Sequence, residues 1–401
     1  MFLITRAKKS KRRHALRQAI ESLENRVLLA YTLDPSFSGD GISEVAGTRI
    51  FTVQPDNKIV ALVPDTTTPK IARISTDGSL DTSFGSGGQV TLPFTPMEIG
   101  FSNGKILVAS RGGLAIARYN LNGTLDTSFG GGDGIAQAPT QHGTTASDMA
   151  VAPDGKLVIV GSGREIVDIS HPSEDRAYYE SARFNADGTL DTSYSGDGVS
   201  EQLVPDIHNG GLFAVGVQSD GKIILVGMTS FSVMDGATWW MSRTNVDGTG
   251  DSTFQEQGWT NGDITDLEIQ SDDKILLIRD LELLRYNANG PLDANLNNSL
   301  GNSNVRGSEP LSNGNILVAG LDQSGDSFVA RLLSNGQLDT TFAPNGKVNL
   351  GSLRPDDVQL DSLSRVITGG FNPLPQGNLA AVARLTSTAQ TPFKGSPFNV
   401  G

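Results

Sequence analysis

One phrase returns along this chain: "NGTLDTSFGGGDGI" at 122–135 and "DGTLDTSYSGDGVS" at 187–200 are two of its copies. Three landmarks recur in fixed order. The first is a turn after an apolar stretch: 54–60, 102–108, 152–158, 218–224, 270–276, 311–317 and the degenerate 360–367. Asn-Gly or Asp-Gly between apolar runs is the strongest short-range hairpin signal, because both turn residues take positive φ. The second is an arginine inside a short strand: Arg73, Arg118, Arg183, Arg243, Arg285, Arg331 and Arg384. The third is the phrase itself, opening at Leu33, Leu80, Leu125, Leu190, Gly250, Leu292 and Leu338. Each landmark occurs seven times.

The offset of the series constrains the fold further. The phrase precedes every other landmark at Leu33, and no phrase follows Arg384. One unit is therefore cut, its end at the front of the chain and its beginning at the back. A ring requires such a cut, because a strand from one end completes a sheet begun at the other and leaves few free edges. Successive arginines lie 45, 65, 60, 42, 46 and 53 residues apart, the length of a four-stranded blade. The expected fold is all-β: a seven-bladed β-propeller of four-stranded blades, closed by the N-terminal strand joining the C-terminal blade. Arg26 also lies eight before Asp34, so an intact N-terminal unit competes with closure.

Composition agrees. Hydrophobic residues are 37% and glycine numbers 47 of 401, a balance suited to short strands and tight turns. The net charge is −13, but residues 1–30 carry +6, leaving −19 on the rest. An acidic body excludes nucleic acid and anionic membrane surfaces as partners. There is no cysteine, hence no disulfide and no thiolate site. No run of about 18 apolar residues exists to span a membrane. The domain reading is 1–30 as a basic N-terminal segment, 31–385 as the repeat domain and 386–401 as a tail. In residues 1–30, Arg17, Gln18, Glu21, Glu24 and Arg26 interrupt any secretory apolar core.

Within that segment, "ESLENRVLLA" (21–30) resembles the LEPR-XLL element of bacterial surface proteins through Leu23, Glu24, Arg26, Leu28 and Leu29, with Asn25 in place of proline. That resemblance implies sorting to the envelope or exterior; a disordered basic tail is the other reading. The units "ARYNLNGTLDTSFGGGDGI" (117–135), "ARFNADGTLDTSYSGDGV" (182–199) and "ARLLSNGQLDTTFAPNGKV" (330–348) resemble the delta-60 repeat, a tandem module of bacterial proteins. This resemblance covers roughly 31–385 and implies an extracellular repeat array with no agreed activity. The unit at 285–301 departs most, which puts the outer strand of its blade in question.

Aspartate follows arginine by eight in six units. The pair either bridges strand to loop, or the aspartate caps its own turn. Recurrence in every blade assigns it to structure rather than to a ligand ring. "FGGGDG" (129–134) reads as turn glycines, not a phosphate loop, and "DQSGD" (322–326) lacks calcium-loop spacing.

Function is expected on the variable face of the ring, where long loops sit on a rigid scaffold. Blade three inserts 162–180 and blade four 228–240. Tyr178, Tyr179, Trp239 and Trp240 stand there as candidate ligand-binding residues able to stack on a sugar or peptide. Tyr179 and Trp239 can instead fill blade packing, leaving Tyr178 and Trp240 as the exposed pair. His142, His171 and His208 map to loops around blade three, beside Asp148, Asp168, Glu174 and Asp206. None has paired zinc-ligand spacing, so no metal, cofactor or catalytic residue is assigned. The sequence points to a monomeric, non-enzymatic scaffold, secreted or on the cell surface, binding a carbohydrate or an envelope protein. The alternative is a propeller enzyme of glycoside-hydrolase or lyase type, possibly metal-assisted, using loop carboxylates and histidines.

Overall fold

Apolar runs of five or six residues flanked by Asn-Gly and Asp-Gly turns are too short to bury a helix face, and each becomes one strand of an antiparallel meander. The computed structural model describes residues 29–44, 50–63, 68–166, 176–204, 210–232, 236–260, 262–374 and 377–389. They form seven separate antiparallel sheets, six of them four-stranded with each strand pairing with the next in sequence, the seventh with its rim position filled by two short strands. Blade one runs from Phe51–Val53 at the axis through Ile59–Val63 and Lys70–Ile74 to Gln89–Thr91 at the rim. Blades two to six repeat this order. The departing unit of blade five keeps its outer strand, but forms it early, at Leu292–Asn295, before a short 3-10 turn that buries Leu296 and Leu300. Among the described residues no helix is long and apolar enough to cross a membrane.

Blade seven is completed from the front of the chain. Its strands Arg354–Leu360, Val366–Leu374 and Gly377–Ala389 are joined at the rim by Leu29–Leu33 and Ile42–Ser43. Leu33 pairs with Leu385 and Ile42 with Ala383. The ring is thus closed across some 350 residues of sequence by Arg384 and Asp34, whose Nε and Oδ2 lie 2.8 Å apart. The sheet begins two residues before the expected front boundary and runs four past the expected back one.

The core is divided rather than central. Seven apolar clusters each fill one interface between neighbouring blades; one of them packs Ile367 and Val382 of blade seven on Phe51, Ile59 and Ala61 of blade one. The second strand of each blade buries both faces against neighbours, which is why its residues read as a continuous apolar run, whereas the outer strands stay partly exposed.

The repeated arginine and aspartate link these interfaces. Asp126 does both things the sequence allowed: Oδ2 accepts from Arg118 Nε at 2.8 Å, and Oδ1 accepts from the Ser128 amide and hydroxyl. Lys105, from the hairpin turn, is a second cation at 3.0 Å. The Arg118 guanidinium lies 4.3 Å above the Phe129 ring and donates to the Ala186 carbonyl of the next blade at 2.5 Å. Arg73, Arg183, Arg243, Arg285 and Arg384 reach the following blade likewise. Gly188 shows why the next turn needs glycine: its φ is +85°, and a Cβ would sit 2.7 Å from the Phe129 ring.

Asp126→Ala leaves two cations without their carboxylate in a largely dry interface, which costs roughly 3 kcal/mol. The variant is expected to melt several degrees lower while ligand affinity stays at the parent value. Equal melting temperatures would contradict this role.

Candidate functional site

The innermost strands enclose an axial channel. Six of them carry a β-bulge at one place, skipping Met97, Ser147, Phe213, Thr265, Arg306 or Asp356. A bulge twists the strand and re-aims the residue that follows. In four blades that residue is acidic: Glu98, Asp148, Asp266 and Asp357. Two residues on, Glu268 and Glu309 add further acids. The cavity is about 860 Å³ on the side of blades two to five, and Glu98, Asp148, Asp266 and Glu268 also line an adjoining 590 Å³.

An innermost strand has no partner toward the axis, so its edge N–H groups need acceptors. The carboxylates supply them across blade boundaries. Glu98 accepts from Met149 N at 2.9 Å, Asp148 from Val215 N at 2.7 Å, and Asp266 from Ser308 N at 3.2 Å. Gln359 does the same across the closing interface, accepting from Val53 N at 3.1 Å. Burial pushes these acids upward, Asp148 to about 7, Asp266 to about 6 and Glu309 to about 7. Glu98, Glu268 and Asp357 are raised well above the usual range by burial and then by the charge of neighbouring acids, Asp148 for Glu98 and Asp266 for Glu268 and Asp357. These carboxylates come from strands, not from the loops in which the sequence reading placed the acids of interest.

The second feature lies between blades three and four. The described residues of their insertions are almost all strand. Leu157–Glu165 pairs with Arg176–Phe184, and Ile223–Ser232 with Gly236–Thr244, which makes both hairpins longer than those of blades one, two, five and six. The period of two then sorts the aromatics. Tyr179 and Trp240 face each other across the blade boundary, edge to face at 5.2 Å, with Trp240 Nε1 donating to the Tyr179 hydroxyl at 3.1 Å. Trp239 turns the other way into the blade-four/five core and is buried. Tyr178 turns toward blade two and stacks on His142. The structure therefore brings together Tyr179 and Trp240, not Tyr178 and Trp240. Gly227 makes room for the indole, since a Cβ there would meet the ring at 2.4 Å. Tyr179 and Trp240 wall a cavity of about 190 Å³, with Ser200, Gln202, Ser242 and Glu256 among its polar lining.

Segments 54–84, 102–129, 182–194, 218–254 and 311–342 match the model of a family described as a domain of unknown function (DUF5122) beta-propeller. The chain is a propeller repeat protein. No curated protein matches it. Among solved structures, the propeller is similar to a puromycin hydrolase at 14% identity and a TM-score of 0.51, over 86% of this chain and 53% of that one. It thus spans about half the length of that enzyme. It is also similar to a protein of unknown function from Bacteroides caccae (14% identity, TM-score 0.44, 72% and 92% covered) and to a gluconolactonase from Xanthomonas campestris (9% identity, TM-score 0.40, 90% and 95% covered). At these identities the likeness is one of fold alone.

Of the propeller's three body histidines, His171 and His208 lie outside the described residues, as do Asp168, Glu174 and Asp206. His142 is placed, with Nδ1 3.2 Å from Glu180 Oε1 and 3.9 Å from Glu201 Oε2. Asp148 is in the axial channel, apart from this group. The sequence reading missed Glu180 and Glu201 as partners of His142, because they stand 38 and 59 positions further on, inside ordinary-looking strands. "DQSGD" is a self-capped turn, Asp322 Oδ1 accepting from the Ser324 and Asp326 amides.

Proposed function

We propose that the propeller is a non-enzymatic repeat scaffold, exported to the cell surface or beyond, that binds a carbohydrate at the boundary of blades three and four. The observation that carries this reading is the Tyr179–Trp240 pair, an aromatic wall facing hydroxyl, amide and carboxylate groups across a cavity of sugar dimensions. A pyranose has one apolar face to lay on an indole and a rim of hydroxyls to hydrogen-bond, and an envelope protein presenting an aromatic side chain is the other partner of this shape. Channel carboxylates spent on the next blade's amides support a structural use of the axial acids. Export is supported by the LEPR-XLL-like residues of 21–30, with the delta-60-like units as its array.

The test is binding of the full chain to a polysaccharide panel, read by calorimetry well below the melting temperature. A ligand at 100 times its Kd adds about 2.7 kcal/mol to stability, visible in parallel melts. Trp240→Ala is expected to weaken binding at least tenfold, about 1.4 kcal/mol, and Trp240→Phe less. Binding undiminished in Trp240→Ala would overturn the site. The enzyme reading draws on the raised acids Asp148 and Glu309, since a carboxyl protonated near neutrality can act as a general acid. It predicts shortened products from the same polysaccharides, and their appearance would replace the scaffold reading.

A further inference from the structure

Glu180 and Glu201 stand directly opposite each other on the third and fourth strands of blade three. Like charges in this register repel, and here the cost is raised because the Glu180 side chain has no exposure at all. Burial accordingly pushes the Glu180 carboxyl upward, against hydrogen bonds from Thr144 and His142. Glu201 Oε1 is buried with no hydrogen-bond partner among the described residues. Such an arrangement is retained at a cost unless a positive centre compensates it.

The surroundings are shaped for one. The His142 carbonyl accepts from Arg164 N at 2.6 Å, and its ring stacks on Tyr178 with centroids 3.7 Å apart and planes 9° from parallel. The Tyr178 hydroxyl is fixed in turn on Glu165 at 2.8 Å. The Thr144 hydroxyl donates to Glu180 Oε2, leaving Oε1 aimed at the histidine. Gly163 provides the space: a Cβ there would lie 2.2 Å from Glu180 Oε1 and 2.8 Å from His142 Cβ. Candidate ligand atoms of His142, Glu180 and Glu201 all fall within 4.8 Å of one another.

We propose that His142, Glu180 and Glu201 bind one divalent transition metal of the zinc class, with a remaining position open on the partly exposed Glu201 side. Zinc–nitrogen and zinc–oxygen bonds of about 2.0–2.2 Å in a tetrahedron set ligand atoms about 3.3–3.5 Å apart. The 3.2 Å between His142 Nδ1 and Glu180 Oε1 fits this edge, and the 3.9 Å to Glu201 closes with a small side-chain movement. The imidazole selects against calcium and magnesium, which prefer all-oxygen shells. This site is distinct from the aromatic pocket and shares no residue with it.

The test is calorimetric titration of chelator-treated full-length protein with zinc, manganese and calcium chlorides, alongside cobalt(II) absorption spectra. One zinc per chain is expected, with calcium failing to displace it, and with cobalt giving visible bands of a low-coordinate nitrogen–oxygen site. His142→Ala and Glu201→Gln are each expected to weaken zinc at least 100-fold, with Glu201→Gln melting at or above the parent in chelator because the repulsion of Glu180 is relieved. Should His142→Ala fold poorly, Glu201→Gln, at the exposed edge, keeps the question decidable. Absence of zinc binding overturns the proposal. So does zinc bound equally by parent and variants, which would place the metal in the acidic channel or at the other histidines. Sugar binding would survive either result, so the two readings fail separately.

Discussion

Deleting Leu29–Ser43 is expected to abolish the folded ring, or to lower its melting temperature by more than 10 °C. These residues supply the rim of blade seven and cover the strand Gly377–Ala389 from Val382 to Ala389. Without them Arg384, almost fully buried, loses Asp34 and Ser36, and the Phe37 ring beneath its guanidinium is removed. Tyr31 also leaves its stack on Phe342 of blade six and its hydrogen bond to the Ser364 carbonyl. An unpaired buried charge costs about 3–5 kcal/mol. Exposing two large aromatic contacts and a leucine adds roughly 1.5–3 kcal/mol each. The total approaches the whole stability of a typical domain, about 5–15 kcal/mol. The strand edge left open from Val382 to Ala389 is moreover a template for aggregation. Circular dichroism melts of the deletion beside Asp34→Ala separate the two parts. The point variant should destabilise in the same direction as Asp126→Ala, because both take the carboxylate from a buried repeat arginine, although Asp34 lacks the second cation that Lys105 gives Asp126. A deletion that melts like the parent would mean that the ring does not depend on its front segment.

The closing strand was legible because a ring must be cut somewhere, and the cut shows as a phrase with no preceding unit at Leu33 and a unit with no phrase at Arg384. Hairpin turns were equally legible, since Gly155 and Gly221 take the positive φ that only their turn chemistry explains. The axial channel was not. Glu98, Asp148, Asp266 and Asp357 become equivalent only once the bulges fix the register of the innermost strands, and a bulge leaves no sequence motif of its own. A signal did exist in blades three, five and seven, an acid three residues before the last ladder pair of the first strand, but in blade two the acid stands four before it, and blades one, four and six lack it. The aromatics were found, yet which of them face each other depends on the parity of two neighbouring strands. His142 was set aside for lacking a nearby partner in sequence. Its partners come from strands whose pairing, Glu180 opposite Glu201, is set by the blade. Contacts along the chain could be read; contacts around the ring required the fold.

Stability should fall between pH 5 and pH 8, the reverse of what an ion-paired protein rich in aspartate suggests. Asp148, Asp266 and Glu309 are raised to about 7, 6 and 7, and Glu98, Glu268 and Asp357 well above their ordinary values, chiefly by burial. Among the described residues the cations on the channel wall are Arg111 and Arg306, and Arg306 is held by Asp356 at 2.9 Å. A carboxyl raised in the folded state binds its proton more tightly there than in the unfolded chain, where its pKa is about 4. Its contribution is therefore full below about pH 4 and is lost as pH rises through 6 to 7. Asp81, Asp126, Asp191 and Asp251 run the other way: hydrogen bonds from the serine or threonine two residues on, with the lysine and arginine beside them, outweigh burial and lower their pKa. Their contribution is present above about pH 4 and disappears as pH falls below it. The two sets leave a maximum near pH 4. Discounted for the water that touches the channel, the raised acids cost roughly 5 kcal/mol between pH 5 and pH 8. For a domain of this length that lowers the melting temperature by about 6 °C. Glu268→Gln with Glu309→Gln should recover part of that loss at pH 8 and change far less at pH 5, where a carboxyl raised to about 7, as that of Glu309 is, already holds its proton. A melting temperature that climbs from pH 5 to pH 8, or a double variant that keeps the parent's slope, would mean that the channel acids are ionised at no cost and that a bound cation, not a proton, neutralises the axis of the ring.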